Sequence, residues 1–368
     1  MTTYHQEPIL LEPNRVQRFF RGGSFLDRWQ GLPVKEDMFL SEDMCVNTSP
    51  YIGPDKPFDQ GYSQTMIGGE PHRLASLIQS APAEYLGQRY AERTHGQSGI
   101  LCRIGDSLDR LVLQYHPTQA FAKKYFHHDF GKTEAWYIPK TRPGMDHCVY
   151  AGLRKGVTRE AFELLFRQGD SEKLLACLHK LPLEQGDVIL VPSGVPHAMG
   201  PGAIFVEFHE PCDYTLRLEK NFLGRAMAEN ELHYGLGTGV LMDGIDFSTY
   251  TYEEAVEMFV LKPVRKDQTD QAVLTELIGY GKNPSFALDQ LVLHGTYSMP
   301  PLDHHYIAVG VAGELQMTAG GVTKTLRQGH AAFIPAGAAR DIRFEGYQAS
   351  VLLGYPFAIE ASMGRDIR

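Results

Sequence analysis

A repeated turn–strand–turn pattern constrains the fold of this chain more than any other feature. The segment Gly186–His197 reads G-x5-P-x-G-x2-H, and the segment Gly329–Arg340 repeats it as G-x5-P-x-G-x2-R. In each copy a glycine opens a hairpin, a strand crosses the core, and Pro-x-Gly makes the next turn. Because one unit occurs twice, far apart in the chain, the sequence predicts two tandem β-domains.

The last residue of the repeat differs chemically between the two copies. It follows the Pro-x-Gly turn, so we expect it to begin the neighbouring strand with its side chain pointing inward. In the first copy it is His197, an imidazole suited to metal binding. In the second it is Arg340, a permanent cation unsuited to a divalent metal. His304 and His305, in the second unit, are adjacent and would face opposite ways on a strand. We therefore predict that the first domain is active and the second is metal-free.

Three further candidate ligands lie on two earlier strand-like segments. In the run Leu111–His116, Gln114 and His116 share one face of the predicted strand, because alternate side chains point the same way. Glu134 begins a second run of apolar and aromatic residues. Together with His197 they offer an amide oxygen, two imidazoles and a carboxylate, a donor set suited to zinc or a similar divalent ion. The alternative is a set of polar side chains that satisfy one another in the mouth of a barrel.

Helical periodicity is confined to short segments between the predicted strands. Helices are expected around Leu74–Ile78, from Pro82, and behind caps at Thr158, Ser171 and Thr251. The fold class is therefore mainly β with a small inserted and flanking helical region. The predicted units are an N-terminal segment with short helices packing on the first barrel (1–98), a metal-binding barrel with inserted helices at 157–181 (99–220), a connecting segment with a short helix (221–284), and a second barrel (285–368).

The composition of the chain limits the classes of partner that it is expected to bind. The 368 residues carry a formal charge of -9, and no basic block stands out, which argues against a nucleic-acid partner. The apolar runs are too short to span a bilayer, and the N-terminus lacks a signal-peptide pattern. The 5 cysteines are widely spaced and form no CxxC pair, which predicts reduced thiols in a cytoplasmic protein. The sequence leaves the oligomeric state open.

In combination these motifs resemble a known family. The first repeat matches the second cupin motif at every position, and the other segments resemble type I mannose-6-phosphate isomerases, most of all their short bacterial form. The segments that carry the resemblance are Gln114–Pro117, Gly131–Tyr137, Val195–Gly200 and Asp213–Leu218.

The resemblance implies a fold, a metal and a reaction. The fold would be two cupin barrels, each a β jelly roll, with the second one degenerate. The expected reaction is the conversion of mannose 6-phosphate to fructose 6-phosphate through an enediol, so the expected partner is a small sugar or sugar phosphate. Lys132 and Arg217 would lie in the active site. The residues implied to bind zinc, or another divalent metal, are Gln114, His116, Glu134 and His197.

The roles of the charged residues stay open at this point. Lys132 is expected to bind an anionic substrate or to transfer protons, and Arg217 to supply fixed charge or to bind phosphate. Glu207 is a lesser candidate for a base. The competing interpretations are a solvated turn for Lys132 and a surface ion pair with Asp213 or Glu219 for Arg217.

Two other functions compete with the isomerase hypothesis. One is an isomerase or epimerase that acts on an unphosphorylated or different sugar. The other is a non-catalytic sugar-binding bicupin, which would be stabilised by its ligand without turning it over. An iron dioxygenase is disfavoured, because such a site usually takes more histidine ligands and an open position for O₂, and Gln114 does not fit that ligand set.

Overall fold

The chain forms a mainly β structure in which short helices flank the sheets. A computed structural model of the protein describes residues 4–50 and 61–359. The predicted mainly β fold class is confirmed. Within these residues, none of the helices has the length and apolar character needed to cross a membrane.

The helices of the described chain are short. They are α1 (Ser24–Gln30), α2 (Leu74–Ser80), α3 (Pro82–Leu86), α4 (Gln88–Arg93), α5 (Gln119–Phe126), α6 (Arg159–Gln168), α7 (Ser171–Ala176), α8 (Glu229–His233), α9 (Thr238–Asp243) and α10 (Tyr252–Phe259). Single 3-10 turns occupy Tyr4–Gln6 and Ala338–Arg340.

The strands run along nearly the whole described chain. Those before residue 200 are β1 (Ile9–Leu10), β2 (Arg15–Val16), β3 (Glu42–Val46), β4 (Gln64–Ile67), β5 (Glu70–Arg73), β6 (Leu101–Ser107), β7 (Gln114–Tyr115), β8 (Glu134–Thr141), β9 (Cys148–Arg154), β10 (Leu178–Pro182), β11 (Val188–Val191) and β12 (His197–Met199). Those after it are β13 (Ala203–His209), β14 (Leu216–Arg217), β15 (Asn221–Phe222), β16 (Arg225–Ala226), β17 (Thr249–Tyr250), β18 (Val260–Leu261), β19 (Val264–Gln268), β20 (Ala272–Ile278), β21 (Phe286–Ser298), β22 (Tyr306–Ala312), β23 (Glu314–Ala319), β24 (Val322–Arg327), β25 (Ala331–Ile334) and β26 (Arg343–Pro356).

The first barrel consists of two sheets that pack against each other. Among the described residues, one sheet has the order β10-β9-β12-β7-β14, with β17 beside β9, and the other has the order β18-β11-β8-β13-β6-β3-β2. Large buried side chains from both sheets, including Trp136, Met199 and Phe205, fill one end of the space between them. The candidate site residues lie at the strand ends beyond this core, so the apolar packing fixes where those ends meet.

The second barrel is one curled sheet. Its order within the described residues is β1-β25-β22-β26-β21-β20-β19, and β23 pairs with both β24 and β26. The long strands β21 and β26 pair along their whole length and enclose a second apolar core that includes Leu291, Tyr306 and Phe344. The edge of the sheet is closed by β1, which pairs with β25. A strand from the N-terminal segment therefore completes the second barrel.

The two barrels share an apolar interface. Ile100 and Phe208 of the first barrel lie in one buried cluster with Phe333 and Leu352 of the second. The fit is close at Gly354, where a Cβ would lie 2.4 Å from the Phe208 ring. A larger residue at this position would force the strands of the two barrels apart.

Most of the helix predictions are confirmed. The Thr158 side chain accepts a hydrogen bond from Ala161 N at the start of α6, and Thr251 forms a capping box with Glu254 at the start of α10. Ser171 was expected to cap α7, but the N-cap is Asp170, whose side chain accepts from a backbone N–H instead. Helix α5 is not predicted by the sequence analysis.

The structure differs from the sequence prediction over 262–284. This region reads as a polar connection, yet it contains β19 and β20, which add two strands to the second barrel. Every residue of β19 is exposed, because it is an edge strand with no covered face. Such a strand has no alternation of apolar and polar residues by which it could be found. The domain boundaries at 98, 220 and 284 stay a prediction.

Candidate metal centre

The candidate centre lies between the two sheets of the first barrel. Gln114 begins β7 and pairs with His197, which begins β12, while His116 follows directly after β7. Glu134 begins β8 in the opposite sheet. Each side chain therefore sits where a strand meets a turn, and the packing of the sheets brings the four together.

The three candidate ligands His116, Glu134 and His197 lie close together. His116 Nε2 lies 3.0 Å from Glu134 Oε2, and His197 Nε2 lies 3.0 Å from Glu134 Oε1. The ligand atoms of these three residues lie within 4.8 Å of one another. The Gln114 amide nitrogen is 3.4 Å from both Nε2 atoms. An amide flip exchanges its nitrogen and oxygen without moving the side chain, so the Gln114 oxygen can face the same point.

Backbone carbonyls set the orientation of both imidazoles. His116 Nδ1 donates to Tyr214 O at 3.0 Å, and His197 Nδ1 donates to Val195 O at 2.9 Å. A neutral ring that donates from Nδ1 carries its lone pair on Nε2. Both lone pairs therefore point towards the Glu134 carboxylate, and a shared cation between them would turn this electron-rich contact into an attraction.

The carboxylate of Glu134 is buried, and its side chain is 1% exposed. The Lys132 ammonium lies 2.9 Å from Oε2, whereas Oε1 faces the lone pair of His197 Nε2 and has no hydrogen-bond partner among the described residues. Burial alone would raise its pKa, but the facing His116 ring and the Lys132 ammonium hold that pKa well below its ordinary value. A buried anion of this kind is costly unless a cation compensates it. The residues present therefore fit a divalent metal ion.

The His116 ring is in the state that a metal requires. Burial lowers its pKa to about 4, against the opposing effect of the Glu134 carboxylate. The ring is therefore neutral near pH 7 and its Nε2 lone pair is available.

Lys132 lies beside the centre and not on a solvated turn. It is 3% exposed, and its Nζ lies 2.9 Å from Glu134 Oε2 and 3.0 Å from Glu207 Oε1. The same nitrogen is 3.3 Å from His116 Nε2. The charge of Lys132 is therefore balanced by two buried carboxylates at the edge of the centre. The solvated-turn interpretation of Lys132 is wrong.

Arg217 is buried on the strand next to Gln114. It pairs with Gln114 in register, and its Nη1 donates to Glu231 O at 2.6 Å. The guanidinium lies 4.9 Å from the centre of the Phe19 ring, and its Nε is buried without a partner. The surface pair considered from the sequence does not form, because Asp213 pairs with Arg103 and Glu219 pairs with Arg110.

A buried charged layer behind the centre was largely missed by the sequence analysis. Arg103 bonds to Asp213 and donates from Nε to His209 Nε2 at 3.0 Å. Burial and this arginine keep the pKa of His209 well below its ordinary value, so the ring is neutral. Glu207 and His209 alternate along β13, as do residues that face one side of a strand. That alternation was a usable signal, whereas the pairing with Arg103 depends on the register between strands.

The second barrel does not reproduce the centre. Arg340 lies in a 3-10 turn and is exposed, so the expectation that it begins a strand and points inward is wrong. The cause lies in the turn: Gly194 has a φ of 86°, whereas Gly337 has a φ of -63° and starts the 3-10 turn. His305 is buried and donates from Nδ1 to Leu86 O at 3.1 Å, as a core histidine does.

Known proteins resemble the chain in sequence and in fold. No protein-family model matches it. It is 34% identical over 119 residues to the mannose-6-phosphate isomerase of Streptococcus mutans, a match that spans 32% of this chain and 35% of that protein. It is 24% identical over 257 residues to mannose-6-phosphate isomerase ManA of Bacillus subtilis, spanning 69% of this chain and 74% of that protein.

Solved structures share the whole fold. The crystal structure of the Bacillus subtilis mannose 6-phosphate isomerase matches with a TM-score of 0.72 at 17% identity, covering 95% of this chain and 100% of that one. A zinc-bound mannose 6-phosphate isomerase matches with a TM-score of 0.72 at 14% identity, covering 96% and 100%.

The fold and the convergent donors define a two-barrel cupin protein with a candidate metal centre in its first barrel. The chain shares its fold with these mannose 6-phosphate isomerase structures, and part of its sequence is similar to proteins named mannose-6-phosphate isomerase.

Proposed function

We propose that this protein is a zinc-dependent isomerase that interconverts mannose 6-phosphate and fructose 6-phosphate. The observation that carries the proposal is the contact of His116, Glu134 and His197, whose donor atoms converge on one point inside the first barrel. The relatives in sequence are named mannose-6-phosphate isomerases, and one structural neighbour is zinc-bound. The cytoplasmic location stays a prediction.

The ion would be held by Gln114, His116, Glu134 and His197. Two neutral imidazoles, a neutral amide and one carboxylate leave a net positive charge on a bound divalent ion. When bound, such an ion polarises a sugar carbonyl and stabilises the enediolate that forms as a proton moves between C1 and C2.

Lys132 and Glu207 are the groups that we assign to proton handling. They form an ion pair beside the centre, with 3.0 Å between Lys132 Nζ and the buried Glu207 Oε1. Trp136 Nε1 donates to the other oxygen of Glu207 at 3.4 Å, which fixes the carboxylate. A substrate hydroxyl near Lys132 can exchange a proton with this pair, and a positioned acid or base contributes about 10²–10⁴ in rate.

Arg217 is the group that we assign to the anionic part of the substrate. Its Nη1 is bonded to backbone carbonyls, whereas its buried Nε has no partner. The Nε edge of a guanidinium can receive two oxygens of a phosphate side by side. A second guanidinium, that of Arg225, lies 5.0 Å from the same Phe19 ring and pairs with Glu231.

A coupled assay with matched substrates tests the proposal. Metal-replete protein is expected to turn over mannose 6-phosphate, to lose turnover with chelator, and to regain it when zinc is restored. Equal turnover of free mannose would instead favour the isomerase of unphosphorylated sugars. Thermal stabilisation by the sugar phosphate without turnover would favour the binding protein, and both results contradict the proposal.

A further inference from the structure

An ion pair outside the centre, between the half-buried Arg110 and the buried Glu219, connects the segments that carry Gln114 and Arg217. The Glu219 side chain is 0% exposed, and Arg110 meets it with two hydrogen bonds of 2.8 and 2.5 Å. Glu219 Oε2 also accepts the backbone N–H of Leu113 at 2.6 Å. We call this arrangement the Arg110–Glu219 clamp.

The clamp acts at a place where ordinary strand pairing is scarce. Strand β7 is two residues long, and β14, the strand beside it, is also two residues long. Beyond these pairs, the ladder continues through one bond, from Leu218 N to Leu113 O at 2.8 Å. The Glu219 carboxylate takes the Leu113 N–H and therefore holds the residue that directly precedes Gln114.

The position of Gln114 needs such support more than the other ligands do. Both imidazoles are fixed by Nδ1 bonds to backbone carbonyls, and Glu134 begins a long strand. Gln114 is half-buried, and its amide oxygen is neutral. A small shift of its backbone would move that oxygen out of reach of a metal, because ligand distances are fixed to within about 0.2 Å.

We infer that the Arg110–Glu219 clamp positions Gln114 on the metal and Arg217 beside it. Arg110 and Glu219 are therefore positioning residues for the proposed isomerase. The inference rests on the proposed function, since it concerns the same centre. Its chemical basis is that a bidentate guanidinium–carboxylate pair fixes direction as well as distance, and that the carboxylate of this pair is fully buried.

The affinity for cobalt, measured by competition with a chelator, tests the inference and does not depend on an activity assay. The variants are Glu219→Gln and Arg110→Lys; the second keeps the charge and loses the bidentate geometry. The matched control is Arg142→Lys, because Arg142 makes a similar pair with the fully buried Asp106 and neither residue contacts a candidate ligand. Circular dichroism checks that each variant is folded.

We expect the cobalt dissociation constant to rise about ten-fold in both clamp variants, the lower end of the range for residues that support metal ligands. The control should stay within about two-fold of the wild type, as expected for an independent site. The visible spectrum of the bound cobalt should change in the clamp variants, because one ligand has moved.

A second background separates positioning from general loosening of the fold. In the Gln114→Ala chain the clamp has no ligand to position, so Glu219→Gln should not weaken cobalt binding further. Wild-type affinity in both clamp variants, or an equal loss in the Gln114→Ala background, would overturn the inference. If the wild-type chain bound no cobalt, the proposed function itself would fail, which is a different result.

Discussion

Replacing Lys132 with methionine separates the reaction from the metal. Lys132 Nζ lies 2.9 Å from Glu134 and 3.0 Å from Glu207, so the substitution leaves two buried carboxylates without their shared cation. Methionine fills a similar volume and carries no charge. The variant should therefore lose its acid–base group while it keeps all four candidate ligands.

The expected effects follow from these contacts. Removing one partner of a buried ion pair costs about 3–5 kcal/mol. With an unfolding entropy of roughly 2.1 cal/mol/K per residue, this lowers the Tm of a chain of 368 residues by about 4–6 °C in chelator. Added zinc should restore part of this loss, because the ion replaces the lysine as the cation beside Glu134. Turnover should fall by about 10²–10⁴, the range for a positioned acid or base.

The assay combines three measurements on one preparation. Calorimetry gives the Tm with chelator and with zinc, elemental analysis gives the metal per chain, and a coupled assay gives turnover. The control is Lys266→Met, since Lys266 pairs at 2.8 Å with the buried Asp289 in the second barrel. The control should lose stability equally with and without zinc and should keep full turnover.

Two results would refute the reasoning about Lys132. Turnover within about three-fold of the wild type would place Lys132 outside the reaction, because a positioned acid or base is worth far more. Loss of bound metal together with turnover would show that Lys132 supports the centre and does not act on the substrate.

Three further predictions concern other parts of the molecule. His197→Ala should reduce bound zinc from about one per chain to almost none while the circular dichroism spectrum is kept, and full metal content would contradict the ligand assignment. Arg217→Ala should keep the metal and lose turnover of mannose 6-phosphate, whereas normal turnover would exclude Arg217 from the site. Burial lowers the pKa of His305 to about 3, so the unfolded chain binds the extra proton below pH 6.5. Stability should therefore fall by about 1.4 kcal/mol per unit as the pH drops from 6.5 towards 3. Urea unfolding at pH 7 and pH 5 should show a smaller fall in His305→Gln, and an unchanged fall would exclude this cause.

The candidate metal ligands could be predicted from the sequence because residues that end strands or form turns mark their positions. Gln114 and His116 precede a proline, and His197 follows a Pro-x-Gly turn, so their positions relative to strand ends are written in the sequence. Their meeting point depends only on a barrel closing around these strands. For this reason the predicted residues lie together in the structure, although their role as ligands stays a prediction.

The supporting residues could not be predicted in the same way. Arg103 contacts His209 through the register of β6 against β13, and it contacts Asp213 in the loop that follows β13; no local pattern encodes either contact. The Arg110–Glu219 clamp joins residues 109 positions apart. In both cases the side chains read as ordinary surface charges in the sequence, and only the packed sheets show that they are buried.

The repeat predicted the second barrel but overestimated its likeness to the first. Gly194 and Gly337 occupy the same motif position, yet only Gly194 adopts a positive φ. The motif fixes where a turn occurs and leaves its type to the residues packed around it. The outward position of Arg340 is a consequence of that difference.

Anomalous X-ray diffraction at the zinc edge, from crystals of metal-replete protein, tests the central claim most directly. We predict a peak between the two sheets of the first barrel, about 2.0–2.2 Å from His116 Nε2, His197 Nε2 and a Glu134 oxygen. An absent peak at that position, or a bound ion held by other residues, would contradict it.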